Sequence, residues 1–132
     1  MDKPLVIALV DDDRVYRILT SKLILESNLS DKVLQFSDGE EAINFIKSTL
    51  QNGEELPDII FLDINMPYMD GWQFLDEYVK IKPSLKKDII LYLVSSSNNN
   101  NDLHRAEKYP EVTEYIIKPF TRIRIEELLS KR

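Results

Sequence analysis

Ile59-Ile60-Phe61-Leu62 is an unbroken apolar run that stops at a carboxylate, Asp63, and is cut off shortly after by Met66-Pro67. A run this short, with no polar alternation, suits a strand buried on both faces, as in a parallel sheet. Pro67 has no N–H for a sheet ladder and pushes Met66 out of the helical region, so the strand must end close to Asp63. In open α/β sheets the carboxyl ends of the strands are where ligands are met. The stretch Asp58–Pro67 therefore restricts the chain to folds that bury this strand and deliver Asp63 to one edge.

The pattern repeats. Leu5–Val10 is a second buried run and ends in Asp11, Asp12 and Asp13; Lys32–Phe36, Ile89–Val94 and Thr113–Ile117 are the other strand candidates. Between them the apolar period changes to that of helices. Tyr16, Leu19, Leu23 and Ile24 form one stripe, fading near Asn28, and Ala42, Ile43, Ile46 and Leu50 a second, in a helix from about Glu41 to Leu50. Trp72, Phe74, Leu75, Tyr78 and Val79 form a third, stopped at Lys82-Pro83-Ser84, and Ile125, Leu128 and Leu129 the last. Asn98–Tyr109 predicts a polar helix anchored by Leu103 and Ala106. Ser37 and Glu40 are spaced as a capping box, Asp13 can cap the first helix, and Met69-Asp70-Gly71 reads as a turn. The strand ends recur about every 23–32 residues, room for one helix and one return strand each. The expectation is an α/β domain: five βα units, a five-stranded parallel sheet and helices on both faces, in three layers.

Composition removes other classes. At 132 residues one domain is expected, spanning residues 1–132, with 43% hydrophobic and 30% charged residues. The net charge of −6 argues against direct nucleic-acid binding and against an anionic membrane surface. With no cysteine and one histidine, His104, disulfide frameworks and Cys- or multi-His metal sites are excluded. No apolar stretch is long enough for a membrane span and the N-terminus lacks a signal-peptide core, so a cytoplasmic location is expected. No Gly-rich loop follows the first strand, which excludes a dinucleotide-binding domain.

In such an array all five strand ends share one edge. That edge holds Asp11 and Asp12 after the first strand, Asp63 after the third, Ser95 after the fourth and Lys118 after the fifth. Carboxylates gathered at one point repel unless a cation intervenes. Mg²⁺ takes one or two protein carboxylates and leaves positions for phosphate oxygens, so the cluster reads as a Mg²⁺ site that meets a phosphoryl group. A carboxylate can be the nucleophile and form an aspartyl-phosphate, whose charge then needs an ammonium such as Lys118 and a hydroxyl such as Ser95. Singly, each residue has a plainer reading: Asp63 as a solvated strand end, Lys118 as a surface charge, Ser95 as a helix cap.

Val10-Asp11-Asp12-Asp13, Phe61-Leu62-Asp63-Ile64-Asn65-Met66-Pro67-Tyr68-Met69-Asp70-Gly71, Val94-Ser95-Ser96 and Tyr115-Ile116-Ile117-Lys118-Pro119-Phe120 together closely resemble the receiver domain of two-component response regulators, over essentially the whole chain and in its stand-alone, chemotaxis-receiver-like form. The resemblance implies a flavodoxin-like fold with strand order 2-1-3-4-5. It implies that Asp63 is the phosphoacceptor, that Asp12 ligates Mg²⁺ directly with Asp11 acting mainly through water, and that the Asn65 carbonyl is a further ligand. Lys118 would pair with a phosphoryl oxygen and Ser95 would turn toward it. Tyr115 would fill the space Ser95 leaves, repacking the face made by the fourth helix, fifth strand and last helix. Met66, Ser96, Ser97 and Pro119 would neighbour the phosphoryl pocket, Ser97 and Asn65 at the positions that tune its lifetime, and Lys118-Pro119 resembles the family's frequent cis bond. The implied donor is a histidine kinase or histidine phosphotransfer protein. The implied output is control of a protein target by a monomer or a phosphorylation-dependent dimer, with the chain acting as a phosphoacceptor rather than an enzyme.

Asp13 reads first as a helix-start acid, Trp72 as a helix anchor, His104 as a solvated residue, and Tyr78 and Tyr109 as core and edge packing. A haloacid-dehalogenase-like phosphohydrolase would need an acid where Asn65 stands, and a phosphorylation-independent docking module would not need a complete site. The chain ends at Arg132 with no output domain behind the last helix, as expected of a stand-alone or an excised receiver.

Overall fold

The computed structural model describes residues 4–52, 56–97, 99–118 and 120–130. Five strands alternate with five helices: β1 Leu5–Val10, α1 Arg14–Glu26, β2 Ser30–Phe36, α2 Gly39–Asn52, β3 Ile59–Asp63, α3 Gly71–Ile81, β4 Ile90–Ser95, α4 Asn100–Ala106, β5 Glu114–Ile117 and α5 Arg122–Ser130. All pairings are parallel, in the order β2-β1-β3-β4-β5. This is the flavodoxin-like order that the resemblance implies, on the five-stranded parallel sheet that the apolar runs predict.

The three layers follow from strand alternation. Ala8, Val10, Ile60, Leu62, Leu91 and Leu93 point to one face and pack on Ala42, Ile43 and Ile46 of α2 and on Phe74, Leu75 and Tyr78 of α3. Leu9, Ile59, Phe61, Tyr92 and Val94 point to the other and pack on Ile24 of α1 and Ile125, Leu128 and Leu129 of α5. The apolar runs lack alternation because both faces are covered. At the amino edge of the sheet, Asp58 accepts from the Val6 N–H at 2.7 Å and pairs with Lys87 at 3.0 Å, which ties β3 to β1.

The helix ends depart from expectation in instructive ways. Asp38, not Ser37, caps α2: its Oδ1 accepts from the Glu41 N–H at 2.9 Å, while Ser37 donates to the Glu41 carboxylate. The helix can begin early because Gly39 lets the chain approach Met69, whose carbonyl oxygen would lie 2.7 Å from a Cβ there. Asp70 is the N-cap of α3 and forms a capping box with Gln73, so Gly71 opens the helix. α4 covers Asn100–Ala106, shorter than its polar pattern suggested, and Asn99 caps it. Leu19 and Leu50, expected inward, are 58% and 43% exposed, and Val79 is 39% exposed. Leu19 and Val79 lie at the margins of their stripes, and Leu50 lies on its stripe but in the last turn of α2, which ends at Asn52. In α1 the buried places beside Ile24 go to Thr20 and Ser21 instead.

Candidate functional site

The three strand tips β1, β3 and β5 bring their polar residues together. β1 ends at Val10, so Asp11 stands at the sheet edge and is 2% exposed; Asp63, the last residue of β3, is 6% exposed, and Asp12 faces solvent. One oxygen from each of Asp11, Asp12 and Asp63 lies within 4.8 Å of the others. Lys118, just past β5, reaches back with its Nζ 2.6 Å from Asp11 Oδ2 and 3.6 Å from Asp63 Oδ1. The shorter contact is an ion pair without hydrogen-bond alignment. The lysine reaches the site because its N–H is held by the Ser95 carbonyl oxygen at 2.8 Å, which carries the parallel pairing one step beyond β5.

The acidic loop is stitched to the first turn of α1. Asp11 Oδ1 accepts from the Asp13 N–H at 2.9 Å, and Asp13 Oδ1 accepts from the Tyr16 N–H at 3.1 Å. Asp13 is thus the helix cap the sequence suggested, and it lies outside the three-carboxylate cluster. Arg17 donates to the Asp11 carbonyl oxygen. On the β3 side, Gly71 packs its α-carbon against the strand end. A Cβ there would lie 2.7 Å from the Asp63 carbonyl oxygen and 2.9 Å from the Ile64 α-carbon. The Gly71 N–H donates to the Ile64 carbonyl oxygen at 2.8 Å. Only glycine fits, and α3 begins hard against the base of Asp63.

Burial, and after it the Asp11 carboxylate, push the Asp63 carboxyl up from 3.8 to about 6, with Asp12 adding to the rise and Lys118 opposing it. Two buried carboxylates and one exposed one, answered among the described residues by the Lys118 ammonium, leave excess negative charge at the edge. A hard divalent cation fits this all-oxygen donor set.

Ser95 is buried at the end of β4, and its Oγ accepts from the Ser97 N–H at 3.1 Å. Tyr115 of β5 is half-buried and donates its hydroxyl to the Ser97 carbonyl oxygen at 2.8 Å. Serine and tyrosine thus meet the same β4–α4 loop from two sides. Ser96 and Ser97 are exposed on that loop; Asn65 is exposed and Met66 buried on the β3–α3 loop. Pro119, and with it the expected cis bond, lies outside the described residues. His104 is exposed, Tyr78 is core, and Tyr109 donates to Asp76 at 2.7 Å, as expected. Trp72 is a buried anchor of α3, stacked with Tyr109 and covered by the Arg105 guanidinium 4.6 Å from its ring. Two participants went unread at the edge: Arg17, and Tyr16, whose ring centroid is 4.3 Å from Lys118 Nζ. From the sequence Tyr16 is legible only as a member of the α1 apolar stripe.

An open parallel sheet whose carboxyl edge carries an acid cluster and one lysine, in place of a phosphate-binding glycine loop, defines a receiver-type signalling domain. The model of the response regulator receiver domain matches residues 7–130, and the chain belongs to that family. It is 29% identical to the chemotaxis protein CheY of Listeria monocytogenes over 123 residues, 93% of each chain. A two-component response regulator from Cytophaga hutchinsonii has a crystal structure that superposes with a TM-score of 0.85 at 29% identity, covering 98% of this chain and 97% of that one. The Mn²⁺-bound form of response regulator Rcp1 superposes with a TM-score of 0.69 at 26% identity, covering 96% and 89%. Receiver domains are signalling phosphoacceptors of two-component systems that bind Mg²⁺ at an acidic site. No helix among the described residues is long and apolar enough to cross a membrane.

Proposed function

We propose that this chain accepts a phosphoryl group on Asp63 in a Mg²⁺-dependent step and thereby switches a surface that controls a protein partner. The observation that carries the reading is the convergence of Asp11, Asp12 and Asp63 oxygens within 4.8 Å, with the Lys118 ammonium beside two of them. An oxygen of Asp63 attacks the phosphorus of a phosphohistidine; the P–O bond forms as the P–N bond breaks, and its electron pair returns to the imidazole. Asp11, Asp12, Asp63 and the Asn65 carbonyl would hold Mg²⁺. When bound, it neutralises the carboxylates and the incoming phosphoryl charge. The Mn²⁺ site of Rcp1 and the oxygen-rich donor set here support that ion class.

Lys118 moves from the carboxylates to a phosphoryl oxygen, and Ser95 turns its hydroxyl from Ser97 to another. Tyr115 then exchanges its bond to Ser97 for the space vacated, which repacks α4, β5 and α5. Ser96, Ser97 and Met66 border the phosphoryl pocket, and Ser97 and Asn65 tune the lifetime before water removes the group. The donor is a histidine kinase or histidine phosphotransfer protein, met in the cytoplasm. The receiver unit spans residues 1–132, acts without nucleic acid or membrane, and works as a monomer or a phosphorylation-dependent dimer. The test is intact mass after incubation with acetyl phosphate. A gain of one phosphoryl group that needs Mg²⁺ and disappears in Asp63→Asn is expected. A labelled Asp63→Asn variant would place the acceptor elsewhere.

A further inference from the structure

We infer that Tyr16 is the positioning residue for Lys118, an inference that rests on the phosphoacceptor reading for its consequence though not for its geometry. Among the described residues the lysine ammonium lies beside Asp11 at 2.6 Å, Asp63 at 3.6 Å and the face of the Tyr16 ring at 4.3 Å from its centroid. The first two are anions and the third is neutral. Burial, and next the Asp11 carboxylate, hold the Tyr16 phenol well above its usual range, so it stays uncharged and attracts the ammonium through its ring face alone.

That difference matters when the acidic cluster gathers a divalent cation. Asp11 belongs to both the cluster and the lysine pair, so a cation bound there competes with Lys118 for the charge of the same carboxylate. Attraction between Lys118 and the two carboxylates falls as their charge is neutralised. Attraction to the ring does not, because the ring quadrupole is untouched. Tyr16 therefore keeps the ammonium at the mouth of the site during the exchange of its partner from carboxylate to phosphoryl oxygen.

The ring is well placed to do this. Its backbone N–H is bonded to the cap residue Asp13, which fixes the first turn of α1 against the acidic loop. The ring also meets Phe120 edge-to-face at 6.1 Å, and Phe120 rests on Phe61 of the central strand at 5.5 Å. Lys118 itself is 18% exposed, so the contact is shielded enough for a cation–π interaction to count. Without the ring a long, flexible side chain would regain its rotamers as soon as the carboxylates were taken.

The test compares Tyr16→Leu, which removes the π face, with Tyr16→Phe, which keeps it; Tyr16→Met replaces the leucine variant should that fail to fold. The first readout is the ¹H–¹³Cε NMR signal of Lys118 in saturating Mg²⁺. The aromatic ring shift present in the wild type should persist in Tyr16→Phe and vanish in Tyr16→Leu. The second is the rate of labelling by acetyl phosphate in Mg²⁺. It should fall about threefold to tenfold in Tyr16→Leu, the range expected for a partly shielded cation–π contact, and return in Tyr16→Phe. In a Lys118→Ala background Tyr16→Leu should have no further effect on that rate. An unshifted Lys118 signal in the wild type, or a full Tyr16→Leu effect in the absence of Lys118, would overturn the assignment. A wild type that takes no label while its Lys118 signal responds to Tyr16 would fault the phosphoacceptor reading and leave the positioning contact standing.

Discussion

The metal-free fold opposes the charge of Asp63, and replacing it with asparagine should stabilise the protein. Burial and the neighbouring Asp11 outweigh the help from Lys118 and raise the carboxyl from 3.8 to about 6. A carboxylate raised in the folded state favours its protonated form there. Its contribution is therefore intact below 3.8, is lost as the pH climbs through about 6, and is absent at pH 8. At 1.36 kcal/mol per pH unit, the span amounts to about 3 kcal/mol against the folded wild type at pH 8. The side chain is 8% exposed, so solvent screening removes little of this. The asparagine of the variant is neutral at every pH and close in shape to protonated Asp63. Urea unfolding in EDTA should then give Asp63→Asn a midpoint about 1.5 M higher than wild type at pH 8, taking a slope of about 2 kcal/mol/M, and a gap that closes toward pH 4. Saturating Mg²⁺ should close it at pH 8 as well, by binding the wild type more tightly than the variant. If the variant is no more stable than the wild type at pH 8 in EDTA, the charge repulsion argued here is not present, and the acidic edge is better solvated than its burial implies.

Gly71→Ala should cost about 1–3 kcal/mol, since its Cβ would press on backbone atoms of Asp63 and Ile64 rather than on a movable side chain; an unchanged urea midpoint would show that α3 can shift without loss. Lys118→Ala should remain folded and still take up the phosphoryl group, while the amide chemical-shift changes across α4, β5 and α5 disappear; a full response would remove the lysine from the switch. Val15, Ile18 and Leu19 expose apolar surface on α1, next to the acidic loop. A helical histidine donor that buries Leu19 would lose about 2 kcal/mol, more than tenfold in phosphotransfer rate at low donor concentration, on Leu19→Glu, with acetyl phosphate labelling unchanged. Equal rates from the protein donor would move its docking surface away from α1.

What could be read from the sequence divides along the same line as what is buried on both sides. β1, β3 and β4 were legible because a strand covered on two faces has no polar positions, and their ends located Asp11, Asp63 and Ser95 without reference to packing. The convergence of Asp11 and Asp63 follows from parallel topology, which brings every strand end to one edge. Helix faces were less legible. A strand has two faces and the sheet covers both, whereas a helix rotates freely about its stripe until contacts choose a direction. Leu19 and Leu50 satisfied the period yet ended outside, and Thr20 and Ser21 satisfied the space. Capping was misread at Ser37 for a related reason: the choice between Ser37 and Asp38 was made by Gly39 docking on Met69, a contact far away in sequence. The Lys118–Tyr16 contact belongs to the same class. Each residue was legible alone, the lysine from its strand end and the tyrosine from its helix stripe. Their meeting depends on how far α1 is pulled toward the acidic loop, and Asp13 and Arg17 set that distance through hydrogen bonds to neighbouring backbone. Chemistry fixed by topology is therefore readable from one sequence, whereas chemistry fixed by the docking of a helix end needs the structure. The residues that tune the site, as distinct from those that define it, are of the second kind.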